Sequence, residues 1–310
     1  MKKIAIVVNK NWETEPVLDA MTNAEIRPAQ LPFPEVLNSP KDKTNKMRVP
    51  RAVFKLRGGK PGEKVQDTLL VHVWCIQDLM APDQSSSSSK EKFDKLPPIL
   101  KADNPDLVIA VGTAGYPKED ESFNGSVVIG ANFFMHDGHP GNPKSDLTNP
   151  NIGKVLYSNV NDGFFDPPTS PFTREFKSLT EAKFLKTPRN PAANAVCMAA
   201  KVNVAISVVN VTDYTEYSWV DHEAIASYKK LESRLPLSSS ETTHGVIKIS
   251  TDKPIIFVSG ITDRLGAFDT DVTPSQNYVA SFNAGIVLGQ LVCSLNDMVL
   301  NGFDFGKKKS

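Results

Sequence analysis

Four short runs rich in isoleucine and valine punctuate the chain: "KIAIVV" (3–8), "TLLVHVWCI" (68–76), "DLVIAVG" (106–112) and "PIIFVSG" (254–260). Continuously apolar strands of this length suit a sheet covered on both faces. Two further runs, "SVVIGANFF" (126–134) and "VNVAISVVNV" (202–211), alternate less cleanly. Helices are expected at 14–22, around 92–102, at 221–232 and at 240–250. A last one is expected at 276–295, where Val279, Phe282, Ile286, Leu288 and Val292 recur at near-helical intervals. Strand-then-helix alternation of this kind predicts an α/β layered fold.

The intervals between these runs are polar or proline-rich. "APDQSSSSSKEK" (81–92) reads as a solvated loop and helix cap. "HPGNPKSDLTNPNIG" (139–153) and "FFDPPTSPFTREF" (164–176) carry many of the 23 prolines, and loops of that length are usually functional or mobile. Basic residues cluster at 41–64, a run with few aromatics that reads as solvated surface. No internal repeat is visible.

Composition narrows the partners. The chain has 310 residues, 40% of them hydrophobic, enough to bury a substantial core. Lys+Arg and Asp+Glu both number 35, so the basic footprint that binds nucleic acid is missing and a small-molecule partner is favoured. The apolar run after Lys2 and Lys3 stops at Asn9, short of a signal-peptide core of roughly 7–15 residues. No apolar stretch is read as approaching the ~20 residues that span a bilayer, so no membrane partner is expected. Cys75, Cys197 and Cys293 form no CxxC pair, and a reducing compartment, most simply the cytoplasm, is expected.

In open α/β sheets ligands bind beyond the carboxyl ends of the strands. The first run delivers Glu13 and Glu15. The third ends in "GTAGYP", where Gly112, Thr113 and Gly115 form a small-residue turn whose N–H groups could cradle an oxygen-rich ligand. The run at 126–134 leads into "MHDGH", and that at 202–211 into Asp213, Tyr214, Glu216 and Tyr217. The run at 254–260 leads to Thr262 and Asp263. His136 and His139 could ligate a metal, but loop histidines with one neighbouring Asp more often bond locally, and no metal or other cofactor is expected. A dinucleotide site is disfavoured because no G-x-G-x-x-G follows any predicted strand.

The order of these segments resembles the purine nucleoside phosphorylase and 5'-methylthioadenosine/S-adenosylhomocysteine nucleosidase superfamily. "KIAIVVNKNWETEPV" resembles its first strand and Glu-containing turn, and "NPDLVIAVGTAGYP" its strand ending in Gly-Ser/Thr-Ala-Gly. "GSVVIGANFFMHD" resembles the family's apolar strand closing in His-Asp. "SETTHGVIKI" stands where a Met-Glu-led helix is expected, and "PIIFVSGITD" keeps the interval to the Ser/Thr-Asp pair. The resemblance runs from residue 3 to 295, with insertions near 27–66, 139–195 and 226–238. It implies one nucleoside-phosphorylase-like domain over 1–310: three layers, a central twisted mixed β-sheet flanked by helices, assembled as a homo-oligomer.

It also implies a chemistry. Cleaving an N-glycosidic bond makes a cationic sugar and an electron-rich base, so the base needs a proton and the sugar a nucleophile. By resemblance, Asp263 gives the proton, with Thr262 beside it. Glu241 accepts from the ribose hydroxyls, and Glu15 deprotonates the attacking water, with Glu13 its rival. Thr113, between Gly112 and Gly115, lies near the nucleophile, and Tyr214 or Tyr217 stacks on the purine. Ala110 stands where the phosphorylases commonly carry an arginine for phosphate. Hydrolysis of a purine nucleoside or nucleotide is therefore expected. Phosphorolysis with phosphate as co-substrate, and a nucleoside-sensing module without turnover, are the alternatives.

Overall fold

The structure is a computed structural model. It describes residues 1–40, 49–80, 88–117, 123–138, 147–189, 191, 194–211, 217–231 and 237–306, with the backbone alone at 217, 218 and 231. In chain order the elements begin with β1 (Lys2–Val8), α1 (Asn11–Thr22), β2 (Val36–Leu37), β3 (Ala52–Gly58), β4 (Gln66–Cys75), α2 (Ser89–Asp103) and β5 (Leu107–Tyr116). There follow β6 (Val127–Gly130), β7 (Asn132–His136), β8 (Val155–Tyr157), α3 (Arg174–Glu181), β9 (Cys197–Ala199), β10 (Val204–Val208) and α4 (Tyr217–Leu231). The last are β11 (Leu237–Glu241), α5 (His244–Ile249), β12 (Ile255–Arg264), α6 (Phe268–Asp271) and α7 (Pro274–Leu300).

The four Ile- and Val-rich runs become neighbours. β4, β1, β5 and β12 lie side by side and parallel; β5 and β12 are buried on both faces along almost their whole length, while Leu70 and His72 of β4 are half-buried. Alternation divides their side chains: Ile4, Ile6 and Val8 face a cluster with Val17 and Met21 of α1 and Val287 and Leu288 of α7. Ala5, Val7 and Ala110 face the other way, against Leu96 and Leu100 of α2 and Ile247 of α5. The result is a mixed sheet between two helical layers. Its strands run β2-β3-β4-β1-β5-β11-β10-β7-β8, and β12 joins β5 to β6, which in turn pairs with β9.

Several expectations needed correction. The run at 126–134 is two strands: β6 pairs with β12, and β7 pairs with β10. The helix expected at 240–250 is split, because β11 carries the chain through Glu241 and α5 begins at His244. The basic interval 41–64 contains β3, in which Ala52, Phe54 and Leu56 point inward. Within that interval Lys55 and Arg57 pair with Asp67, while Arg51 is buried. The proline-rich run at 164–176 is anchored by Phe164, Phe165, Phe172 and Phe176, which stack on one another against the core. Finally, α7 is long and apolar enough to cross a membrane by length and composition, yet most of its apolar stretch is buried inside the protein. It is the central helix of one layer.

One close approach governs how β12 delivers its end. A Cβ at Gly260 would lie 2.2 Å from the carbonyl oxygen of Ala280 on α7. That neighbour is backbone and cannot swing aside. We therefore expect Gly260→Ala to cost about 3 kcal/mol through overpacking, read as a lowered urea-unfolding midpoint with an unchanged slope.

Candidate active site

The carboxyl ends of β5, β11 and β12 meet at one residue. Gly115 pairs with Ser240 of β11 on one side and with Asp263 of β12 on the other, where a bulge at Thr262 shifts the register. A Cβ at Gly115 would stand 3.0 Å from Asp263 Oδ2, so a glycine lets the carboxyl lie against the strand. The turn from β1 into α1 completes the rim of a cleft of about 130 Å³.

Glu13 enters this cleft from the first turn of α1 and is buried. Its Oε2 accepts the Lys10 N–H at 2.9 Å, reaching back across the helix start as the acid of a capping box does. Its Oε1 accepts the Thr113 N–H at 2.8 Å and the Thr113 hydroxyl at 2.9 Å. Burial raises its pKa, against the pull of these bonds and of the Lys92 charge. The same carboxylate thus closes a helix end and the Gly-Thr turn of β5.

Glu241, at the end of β11, has Oε2 held by the backbone N–H groups of Thr243 and His244. Its Oε1 is buried and has no hydrogen-bond partner among the described residues. The His244 ring lies 3.9 Å from that oxygen through Nδ1. Desolvation lowers the imidazole's pKa, against opposing pulls from Glu241 and the Val111 backbone. Behind them Lys92 of α2 is buried, its Nζ donating to Thr243 Oγ1 at 3.1 Å. Burial brings that ammonium down to about 8, with Lys10 acting in the same direction and Glu13 and Glu241 opposing.

Asp263 is buried and accepts from the Thr262 hydroxyl. Desolvation, reinforced by Asp221 and Asp271 and opposed by Thr262, raises its pKa to about 7. Asp221 of α4 lines the same cleft, accepts from Ser240 Oγ at 2.8 Å, and is raised by burial to about 6. A carboxyl that holds its proton near neutral pH is a group able to give one away.

Of the residues expected from sequence, Glu13, Gly112, Thr113, Gly115, Glu241, Thr262 and Asp263 all line this cleft. Glu15 does not. It lies on the outer side of α1, about half exposed, where buried Arg51 takes its carboxylate at 2.6 Å. Arg51 is itself held by Asp78 and Asn11, so the expectation that Glu15 reaches the site is corrected: Glu13, its rival, is the one that lines the cleft. The stacking role given to Tyr214 and Tyr217 falls on side chains outside the described residues, as does His139. His136 accepts the Gly138 N–H at 3.0 Å. Sequence reasoning passed over Lys10, Asp221, His244 and Lys92. His244 lies in the segment "SETTHGVIKI", where only burial distinguishes it from an ordinary helix-start residue.

No protein-family model matches the chain, and no curated protein matches it. Solved structures do. One described as the MTA/SAH nucleosidase covers 98% of this chain and 97% of its own, at 17% identity and a TM-score of 0.50. The fold is that of an MTA/SAH nucleosidase. The Neisseria meningitidis 5'-methylthioadenosine/S-adenosylhomocysteine nucleosidase in complex with methylthio-immucillin-A matches at 14% identity and a TM-score of 0.48, over 94% of this chain and 99% of that one. Arabidopsis thaliana 5'-methylthioadenosine nucleosidase matches at 15% identity and a TM-score of 0.45, over 99% and 98%. Within this nucleosidase fold the cleft holds a proton-bearing acid, a hydrogen-bonded buried Glu, and a third acid with one oxygen unpartnered.

Keeping Asp263 raised has a cost that pH exposes. With a folded pKa near 7 against an unfolded value of about 3.9, the stabilising preference for its protonated form is lost as pH rises through 7. Asp263→Asn cannot ionise and escapes this loss. The variant's stability relative to the parent should therefore improve by on the order of 2–3 kcal/mol between pH 5 and pH 8, measured by urea unfolding at both values.

Proposed function

We propose that the protein is a nucleosidase that hydrolyses the N-glycosidic bond of a purine nucleoside or nucleotide. Asp263 protonates the departing base at N7, Glu13 takes the proton of the attacking water, and Glu241 accepts hydrogen bonds from the ribose hydroxyls. The free Oε1 of Glu241 suits that last role, because an unpartnered buried carboxylate oxygen is costly until a donor arrives. The Phe268 and Val272 side chains give the cleft an apolar wall beside Asp263.

The observation that carries hydrolysis over phosphorolysis is the engagement of Thr113. Its N–H and hydroxyl are the donors a phosphate would need at the Gly-Thr turn, and both already bond Glu13 Oε1. An incoming phosphate would meet a carboxylate in their place, with alanine at position 110 rather than a guanidinium. Water carries no such penalty.

The test is base release from a panel of purine nucleosides and nucleotides without phosphate, followed by mass spectrometry. Free base and free sugar are expected. Asp263→Asn and Glu13→Gln should each lower kcat by about 10²–10⁴, while Glu15→Gln should stay within about threefold on the same scale. Activity should fall on the alkaline side as Asp263 loses its proton near pH 7, and on the acid side as Glu13 gains one above the usual carboxylate range. Strict dependence on phosphate with a sugar 1-phosphate product would reverse the choice of nucleophile, and saturable nucleoside binding with no release would make the protein a binding module.

A further inference from the structure

The buried face of α2 carries a cation. Lys92, Leu96, Ile99, Leu100 and Asp103 recur at helical spacing and all are buried. Asp103 is satisfied by His72 Nδ1 at 2.7 Å and Trp74 Nε1 at 2.9 Å. Lys92, only 5% exposed, has a single hydrogen bond among the described residues, to Thr243 Oγ1 at 3.1 Å. A leucine there would continue the apolar stripe, and a lysine stands so deep only where its charge is answered.

The answering charges lie one step away. Thr243 gives its N–H to Glu241 Oε2, as His244 does at 2.7 Å, so the residue that accepts from Lys92 also grips the carboxylate. Glu13 acts on the ammonium as well, from the start of α1. Neither acid touches it: Glu241 Oε1 has no hydrogen-bond partner among the described residues, and the Glu13 oxygens bond Thr113 and Lys10.

We propose that Lys92 is a positioning residue: held back by Thr243, its ammonium is the countercharge for Glu241 and Glu13 and leaves Glu241 Oε1 open to the ribose hydroxyls. The inference rests on the hydrolytic reading above, which gives Glu241 the sugar and Glu13 the water. Direct pairing of the ammonium with Glu241 Oε1 would fill the oxygen that the sugar needs. With no cation at all, two buried carboxylates would share one cleft uncompensated. A lysine one hydroxyl removed avoids both. Its field acts through a desolvated interior where screening is weak, while its hydrogen bond braces the turn from Glu241 to His244.

The charged groups around it fix the sign of its effect. Lys10 opposes the ammonium, and Glu13 and Glu241 support it. The His244 ring, lowered by desolvation, is neutral near pH 7. On α2 itself Lys90 and Asp94 pair with each other at the surface. Burial raises the Glu13 carboxyl, while its hydrogen bonds and the Lys92 charge pull it down. Loss of that charge therefore lets Glu13 take up its proton at higher pH.

Two positions test this. Lys92→Met removes the charge and keeps the length, a change that buried sites often tolerate. The acid limb of its kcat/KM profile should move up by about one pH unit. The alkaline limb should stay, because Lys92 is not among the groups that shift Asp263. Thr243→Val removes the acceptor that holds the ammonium back. Its Kd for the C-nucleosides 9-deazaadenosine and 9-deazainosine, which resist hydrolysis, should rise about tenfold for whichever the parent binds. The Kd for the matching 2′,3′-dideoxy compound should change less than about threefold, and Thr243→Ser, which keeps the hydroxyl, should bind both as the parent does. A Lys92→Met profile that superimposes on the parent's overturns the proposal, as does an equal loss at every pH. So does a Thr243→Val that weakens both analogues alike, or a Thr243→Ser no better than Thr243→Val; these hold even if Lys92→Met does not fold. Absence of base release by the parent, with the C-nucleoside still bound, overturns the hydrolytic reading itself, and the contrast between the two analogues then decides the role of Lys92 at the sugar.

Discussion

The site depends on one carboxylate. Glu13 joins the start of α1 to the end of β5 by accepting the Lys10 N–H, the Thr113 N–H and the Thr113 hydroxyl. The two elements come from the first strand turn and from a strand a hundred residues later. Buried charges persist when hydrogen bonds replace the water they lose, and each bond here also places a wall of the cleft. The apolar packing of α1 against α7 and the sheet supplies the stability, while the carboxylate supplies the position.

Around that clamp the molecule concentrates acids where water is scarce. Glu13, Asp221, Glu241 and Asp263 all line one cleft and all are buried. Four ionised carboxylates so close would repel one another and suffer desolvation together. The structure resolves this unequally. Glu13 and Glu241 each receive backbone N–H donors, and buried Lys92 stands behind both. Asp263 receives a single hydroxyl and a neighbouring acid, so its proton stays until pH approaches 7. Carboxyl groups with different hydrogen-bond partners thus line one space, and Asp263 among them keeps its proton until near neutral pH.

The two carboxylates of α1 show how little separates a site residue from a surface one. Glu13 and Glu15 are two apart, about 200° around a helix, so they point to opposite sides. Arg51 meets Glu15 on the side away from the cleft. Buried and held by Asp78, it pairs with Glu15, while Glu13 lines the cleft. That arginine lies in an interval whose charge density reads as solvated surface. Its neighbours in β3 follow an apolar-polar alternation that the surrounding lysines obscure.

The sequence by itself determined the layered α/β fold, because uninterrupted Ile and Val runs such as those of β1, β5 and β12 can only be buried between two layers. It also determined that two of those runs lead to candidate chemistry, since Asp263 and the Thr113 turn directly follow or close them, whereas Glu241, expected at the head of a helix, closes β11 instead. Tertiary structure alone decided which of the acids face one another and which hold their protons. Protonation follows from desolvation and from partners far away in the chain, as Lys92 is to Thr243 or Asp221 to Asp263, and local pattern carries no trace of either. The same holds for His244 and Gly112. An ordinary histidine and an ordinary turn glycine become two sides of one cavity only when β5 and the segment after β11 are brought together.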